Sequence, residues 1–214
     1  MALCRRSPQC GQSGTGKSLP FVRPLKHFTM RRMALIAMLC CVPVAAFAIA
    51  RPALVLEYVA GLSCSGKLVC TDDPSRLKEA SELYEGAAQF LASSVAPLGK
   101  RPLAVFCTTQ SCYQFSGNSG PAARTVGRFI IVISPRGWKP YYLRHEMIHW
   151  LQAERLGFFK MYSEPEWFIE GMAYSLSQDP RPTLAEPFQG YRTKFQAWYA
   201  VGGKELLWSG VVNP

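Results

Sequence analysis

The chain has 214 residues, 49% hydrophobic and 12% aromatic, which fits a globular protein and excludes wholesale disorder, a collagenous fibre and a multi-span membrane protein. Its formal net charge of +10 is concentrated at the N-terminus: residues 1–50 carry seven basic side chains and no acidic one, so residues 51–214 hold only +3. No Lys/Arg block that could follow a phosphate backbone occurs after residue 50. Nucleic-acid binding is therefore not expected.

Residues 30–50 have the pattern of a secretory signal peptide. Arg31 and Arg32 supply its positive start, an uncharged apolar run follows, and the run ends in the small-residue sequence Ala46-Phe47-Ala48 that suits a signal peptidase. We therefore expect an exported protein, in the periplasm, the cell envelope or the medium. The alternative is an uncleaved membrane anchor at residues 33–50, because an apolar run of 18 residues is near the shortest that spans a bilayer.

Residues 1–29 precede this signal and are longer than an ordinary positive segment. We interpret them as an extended leader, or as untranslated sequence before a start at Met30 or Met33. They include residues 11–18, GQSGTGKS, which match the phosphate-binding P-loop pattern. A working P-loop lies between a buried strand and a helix N-terminus, whereas here two prolines follow where the helix should continue. The match is interpreted as coincidence.

Four cysteines follow the leader in two close pairs, Cys64 with Cys70 and Cys107 with Cys112. An even number of cysteines in an exported chain predicts two disulfides, formed in an oxidising compartment. Three connectivities are open, of which local pairing is preferred. The alternative, a four-cysteine zinc site, lacks the CxxC-like spacing that such sites use.

Periodicity and turn signals predict an α+β arrangement with a helical C-terminal half. The predicted elements are six, with helices over residues 75–95, 140–156, 165–178 and 188–201 and strands over residues 102–108 and 128–134. Asp72-Asp73-Pro74 is a start signal for the first helix, and Gly157 is expected to end the second. Residues 116–121 are predicted to be a loop.

The chemistry is concentrated in an HExxH motif within the second helix, His145-Glu146-Met147-Ile148-His149. Residues four apart share one face of a helix, so both imidazoles can reach one metal ion, and neutral imidazole suits Zn²⁺. Glu146 would then lie beside the water at the open coordination position and act as general base. These are the only two histidines after the leader. The alternative is a surface helix that carries the three side chains without a metal.

Glu170 in the third helix is the candidate third ligand, since a carboxylate from a neighbouring helix would complete a His₂Glu site. Gly171 and Ala173 lack bulk, and we expect them to let this helix pack closely against the HExxH helix. Glu166, one turn earlier, is the rival ligand. Its alternative role is a negative charge in the first turn of the helix, where it complements the helix dipole.

The HExxH motif followed by Pro165-x-Trp167-x-x-Glu170-Gly171-x-Ala173 resembles the gluzincin metallopeptidases, the thermolysin-like group, and especially small secreted peptidase-MA-like domains. The resemblance covers about residues 125–178. It implies a single zincin-like catalytic domain over residues 51–214, with a small mixed sheet. An edge strand near residues 129–134 would run beside the HExxH helix and bind substrate backbone. The resemblance also implies zinc ligands at His145, His149 and Glu170, with Glu146 as catalytic base.

The sequence departs from the family pattern in the spacing from His149 to Glu170, which is 21 positions. A loop at residues 158–163 is expected to absorb the difference. No histidine is left to stabilise an oxyanion, and Tyr191 and Tyr199 are the tyrosines considered for that role.

The metzincin pattern is excluded, because Gln152 and Arg155 stand where that pattern needs glycine and histidine. The sequence thus predicts an exported metallopeptidase with one Zn²⁺ per chain, which hydrolyses peptide bonds in a peptide or protein substrate. The alternative is a non-catalytic zincin-like domain that binds peptides or envelope components. No oligomeric state is predicted.

Overall fold

The computed structural model describes residues 33–35, 52–115, 117, 120–126 and 129–209. The chain divides into two units, Met1–Ala45 and Ala46–Pro214. The P-loop match lies outside the described residues, and so does the signal or anchor segment, apart from the helical residues 33–35. Within the described part of the chain, no helix is both long enough and apolar enough to cross a membrane.

Five short strands form one mixed sheet in the order β1-β2-β3-β5-β4. The strands are β1 (Ser63–Ser65), β2 (Val69–Thr71), β3 (Leu103–Phe106), β4 (Ala123–Val126) and β5 (Ile130–Ile133). β3 pairs in parallel with β2 and with β5, whereas β1 with β2 and β4 with β5 are antiparallel. Every residue of the central strand β3 is buried, which explains why its sequence is apolar throughout.

The helices lie before, between and mainly after the strands. They are α1 (Pro52–Ala60), α2 (Leu77–Ser94), α3 (Gln110–Phe115), α4 (Pro140–Leu156), α5 (Phe158–Ser163), α6 (Glu166–Leu176), α7 (Phe188–Trp198) and α8 (Lys204–Leu206). Short 3₁₀ turns precede α2 and α4, and a π-type turn follows α7. The fold is therefore α+β with a helical C-terminal half, as predicted.

The main core lies between one face of the sheet and the helices α2, α4, α6 and α7. Because side chains alternate along a strand, Ala104 and Phe106 of β3 enter this core, whereas Leu103 and Val105 enter a smaller cluster that includes Cys107. α4 directs Leu143, Met147, Ile148 and Leu151 into the main core, and this leaves His145 and His149 of the motif on a different face.

Local signals identified most of the longer elements. α4 has the predicted bounds, 140–156, and α2, α6, α7, β3 and β5 lie within the predicted ranges. The prediction missed β1, β2 and β4, whose three or four residues are too few for a clear alternating pattern, and it also missed the short helices α1 and α3. Asp73 caps the 3₁₀ turn before α2, where its Oδ1 accepts a hydrogen bond from Ser75 N at 2.9 Å.

Two predictions about the surroundings of the HExxH helix are wrong. β5 is not an edge strand, because it lies between β3 and β4; the edge strand on that side of the sheet is β4. The segment 158–163 is not a loop but the helix α5. Both errors have the same cause. Tertiary packing determines which strands and helices are neighbours, and the local sequence pattern carries no information about it.

Both cysteine pairs form local disulfides, as predicted. Cys64–Cys70 joins β1 to β2, and Cys107–Cys112 joins the end of β3 to α3. Two disulfides are compatible with an extracellular or otherwise oxidising location.

Candidate metal centre

Three side chains from two helices meet at one point. His145 Nε2 and His149 Nε2 of α4 are 3.0 Å apart. The Glu170 carboxylate of α6 lies opposite, with one oxygen 3.6 Å from His145 Nε2 and the other 3.5 Å from His149 Nε2. One ligand atom from each of the three residues lies within 4.8 Å of the others, so the group could hold a metal ion.

The two histidines come together because α4 is a regular helix and they are one turn apart. Pro140 stands in the first turn, where its missing N–H costs nothing, and the helix ends at Gly157, whose φ of 87° favours glycine. The two imidazole rings lie edge to face, with centroids 4.7 Å apart. Burial lowers the pKa of His145 well below its usual value, which keeps its imidazole neutral.

The structure places Glu170, and not its rival Glu166, beside the histidines. Glu166 is the first residue of α6, and its Oε2 accepts a hydrogen bond from the Tyr191 hydroxyl at 2.7 Å. The hydroxyl of Tyr191 is therefore directed at Glu166. Tyr199, the other tyrosine considered from the sequence, stacks on Phe195 at 5.5 Å and is not among the residues lining the cleft.

Gly171 permits close packing, but not against α4 as expected from the sequence. A Cβ added at Gly171 would lie 2.4 Å from the carbonyl oxygen of Tyr191 and 2.7 Å from Phe195 Cβ, and both of these residues belong to α7. The missing side chain therefore lets α7 lie tightly against α6. At Gly171, the helix that packs closely against α6 is therefore α7 and not α4.

Glu146 is 8% exposed and contacts the edge strand of the sheet. Its Oε2 accepts a hydrogen bond from Thr125 Oγ1 of β4 at 2.8 Å. Burial raises the pKa of Glu146, and the nearby charge of Glu170 raises it further, whereas His149 and Thr125 act in the opposite direction. Sequence reasoning missed Thr125, because nothing local marks a threonine that bonds to a residue 21 positions later.

Two further residues at the site were missed. Gln152 lies one turn after His149 and bonds to its ring, and Tyr174 places its ring 4.4 Å from that of His145. Burial raises the pKa of Tyr174 to about 12, so its hydroxyl stays protonated at neutral pH. Tyr174 is four residues after Glu170, and residues four apart lie on the same face of a helix. This spacing could have predicted that Tyr174 lies beside the site.

The cluster opens into a cleft of about 940 Å³. β4 and Phe129 form one wall, and α5 contributes Phe158, Met161 and Tyr162 to another. Phe129 and Tyr162 are 76% and 69% exposed, so the walls of the cleft present aromatic surface to solvent. The cleft is large enough for several residues of a peptide.

No protein-family model matches the chain, and no match is found among the curated proteins or the solved structures. The resemblance to gluzincins therefore rests on the two sequence motifs alone.

Proposed function

We propose that this protein is an exported zinc-dependent metallopeptidase of the gluzincin type, with a zincin-like catalytic domain. The observation that carries the proposal is the convergence of His145, His149 and Glu170 at one cleft, with the buried Glu146 beside them. The signal-peptide pattern and the two disulfides support export.

The chemistry of the donor set fits zinc. Two imidazole nitrogens and one carboxylate form a three-ligand set typical of catalytic zinc sites, in which a fourth position stays open to water. Zinc bound there would polarise the substrate carbonyl and lower the pKa of a water molecule to about 7. The neutral form of His145, favoured by its burial, is the form that binds a metal.

Glu146 is placed to move the proton. Thr125 donates to one carboxylate oxygen, Oε2, and so holds the side chain while the second oxygen is left to accept a proton from the attacking water. As the water oxygen bonds to the carbonyl carbon, Glu146 takes that proton. It then delivers the proton to the nitrogen of the leaving amine when the C–N bond breaks.

The outer edge of β4 is suited to hold an extended peptide. Among the described residues no strand pairs with that edge. The N–H of Ser134 donates to the carbonyl oxygen of Ala122, so every second residue from Ala122 onward directs its backbone N–H and C=O groups toward β5. The residues between them, Ala123 and Thr125, direct their backbone groups away from β5, toward the outer edge of the sheet. A peptide added along this edge would pass next to Thr125, and therefore next to Glu146.

The test compares Glu146→Gln with wild-type protein, using casein hydrolysis and zinc content. The amide keeps the shape of the side chain but cannot accept a proton, so we expect activity to fall by about 10²–10⁴-fold. Zinc should stay near one equivalent, because Glu146 is not a ligand. Glu154→Gln is the matched control on the same helix, since the Glu154 carboxylate binds the backbone N–H groups of Gly99 and Lys100 instead.

Each other outcome has a definite meaning. Loss of zinc from Glu146→Gln would show that the ligand assignment is wrong. Wild-type protein that binds zinc but hydrolyses no peptide, at several pH values and on varied substrates, would favour the non-catalytic peptide-binding domain. Wild-type protein that binds no zinc would overturn the proposal.

A further inference from the structure

We propose that Gln152 is a positioning residue that prepares His149 for the metal and ties the two ligand-bearing helices together. Its side chain bridges the ring of His149 on α4 and the backbone of α6 directly before Glu170. The inference rests on the metal centre proposed above, but not on peptide hydrolysis.

The side chain of Gln152 is fully buried, and each end of its amide has a partner. Its Oε1 lies 2.8 Å from His149 Nδ1. Its Nε2 donates to the carbonyl oxygen of Ile169 at 2.9 Å and contacts the Met172 sulfur at 3.3 Å.

These partners determine which way the amide faces. The Ile169 carbonyl oxygen and the Met172 sulfur can only accept hydrogen bonds, so the NH₂ group of Gln152 must face α6 and its oxygen must face His149. The flipped amide would direct its oxygen at the Ile169 carbonyl oxygen. The contact between Gln152 and His149 is therefore a bond in which the imidazole donates.

The tautomer of His149 follows from this orientation. An amide oxygen has no proton to give, so Nδ1 of the neutral ring carries the proton and Nε2 keeps its lone pair. Nε2 is the atom that faces His145 and Glu170. Gln152 thus holds His149 in the one neutral tautomer that can bind a metal at this point without first losing a proton from Nε2.

The same side chain also sets the position of the third ligand. Ile169 directly precedes Glu170, so the bond from Gln152 to the Ile169 carbonyl fixes α6 next to its ligand residue. Packing alone does not need an amide here. A buried apolar side chain of similar size would fill the space without the need to satisfy two polar groups, which are costly when left unpaired.

The experiment uses the full-length protein with three substitutions, Gln152→Met, Gln152→Glu and Met172→Leu. Zinc affinity is measured by competition with a chromophoric chelator. The histidine tautomers of the metal-free protein are read from ¹⁵N NMR, which distinguishes a protonated ring nitrogen from one with a lone pair. Gln152→Leu is a second apolar variant if Gln152→Met does not fold.

We expect Gln152→Met to lose the Nδ1–H signature of His149 and to bind zinc about 10–100-fold more weakly, as outer-shell losses do. Gln152→Glu keeps an oxygen for the ring N–H, so it should keep the tautomer. It loses the donor to the Ile169 carbonyl, so its zinc affinity should fall, but by less than that of Gln152→Met. Met172→Leu repacks the same buried space but leaves the Ile169 carbonyl in place, so both readouts should stay unchanged.

The inference is overturned if Gln152→Met keeps both the tautomer and the zinc affinity, or if Met172→Leu weakens zinc binding equally, since the effect would then be packing. Wild-type protein that binds no zinc would overturn the metal centre and the role given to Gln152 with it. Zinc binding without peptide hydrolysis, together with the expected Gln152 results, would refute the peptidase and support this inference.

Discussion

The sheet end of the molecule and its helical half both contain polar side chains that are partly or fully buried, but these side chains face different kinds of partner. Near the ends of β2 and β3, the carboxylate of Asp72 accepts four hydrogen bonds of 2.6–3.1 Å from the N–H and hydroxyl groups of Thr108 and Thr109. In the helical half, two imidazole nitrogens and a carboxylate face one another across 3.0–3.6 Å.

The difference separates a structural role from a binding role. A carboxylate surrounded by donors that face it stabilises the fold and needs nothing more. Ligand-type atoms that converge on one point form a group that could hold a metal ion. The four predictions that follow test this comparison, from the largest expected effect to the smallest.

Removing the proposed third ligand should have the largest effect. Glu170→Ala removes both a bond to the metal and a compensating negative charge. Losing an outer-shell partner weakens metal binding by about 10–100-fold, and the loss of zinc affinity in Glu170→Ala should be larger than that. The control is Glu166→Ala, one turn earlier on α6, which should keep zinc affinity near wild type and lose about 0.3–1 kcal/mol of first-turn electrostatics. Titration against a chromophoric chelator measures both variants. If Glu166→Ala loses zinc while Glu170→Ala keeps it, the third ligand is Glu166 and not Glu170.

The packing that holds α6 should be sensitive to one methyl group. Gly171→Ala would place a Cβ 2.4 Å from the carbonyl oxygen of Tyr191, so we expect a loss of about 1–3 kcal/mol in the free energy of unfolding. Gly86→Ala in α2 is the matched control, because nothing lies within 4 Å of the added Cβ. That variant should gain about 0.5–1 kcal/mol from helix propensity. Urea unfolding measures both, and equal effects of the same sign would refute the packing argument.

The disulfides should stabilise the sheet end without affecting the metal centre. The non-reduced protein should be four hydrogens lighter than its fully reduced form by mass spectrometry, two for each bond. Replacing Cys107 and Cys112 together by serine should cost about 2 kcal/mol of stability, as expected for so short a closed loop, and leave zinc affinity unchanged. Free thiols at these positions in the exported protein would contradict the pairing.

The smallest effect should be the acid dependence of Asp72. Its burial opposes the charged form, but the hydrogen bonds from Thr109 and Thr108 prevail and lower the pKa of this carboxyl. A lowered pKa in the folded state means that the stabilisation is present above the unfolded value of about 3.9 and is lost as pH falls through the folded value.

Asp72→Asn should therefore lose about 1–2 kcal/mol at neutral pH, and the difference from wild type should shrink toward pH 3. Asp73→Asn is the control next to it in the chain. It keeps a good cap for the 3₁₀ turn, so its stability should follow that of wild type across the same range. Urea unfolding at neutral and acid pH measures the stability of each variant. If the difference in stability between Asp72→Asn and wild type does not change with pH, the stabilisation does not depend on the ionised Asp72 carboxylate.

Short-range patterns were enough to predict that His145 and His149 share a helix face and to favour local pairing of the cysteines. His145 and His149 share a face because the helix repeats every 3.6 residues, and the bounds of α4 follow from Pro140 and Gly157. The cysteines pair locally because each closed loop is short, which makes loop closure inexpensive in entropy. The zinc, the peptidase activity and the gluzincin relationship inferred from these motifs stay predictions.

Only the tertiary structure decided which residues complete the site. Glu166 and Glu170 are one turn apart on α6, and the packing of α6 between α4 and α7 brings Glu170 to the histidines and Glu166 to Tyr191. Likewise, Thr125 reaches Glu146 only because β4 packs beside α4, and Gln152 orients His149 only because the Ile169 carbonyl lies beside it. Such contacts depend on where distant segments lie in space, and helical or strand periodicity carries no information about that.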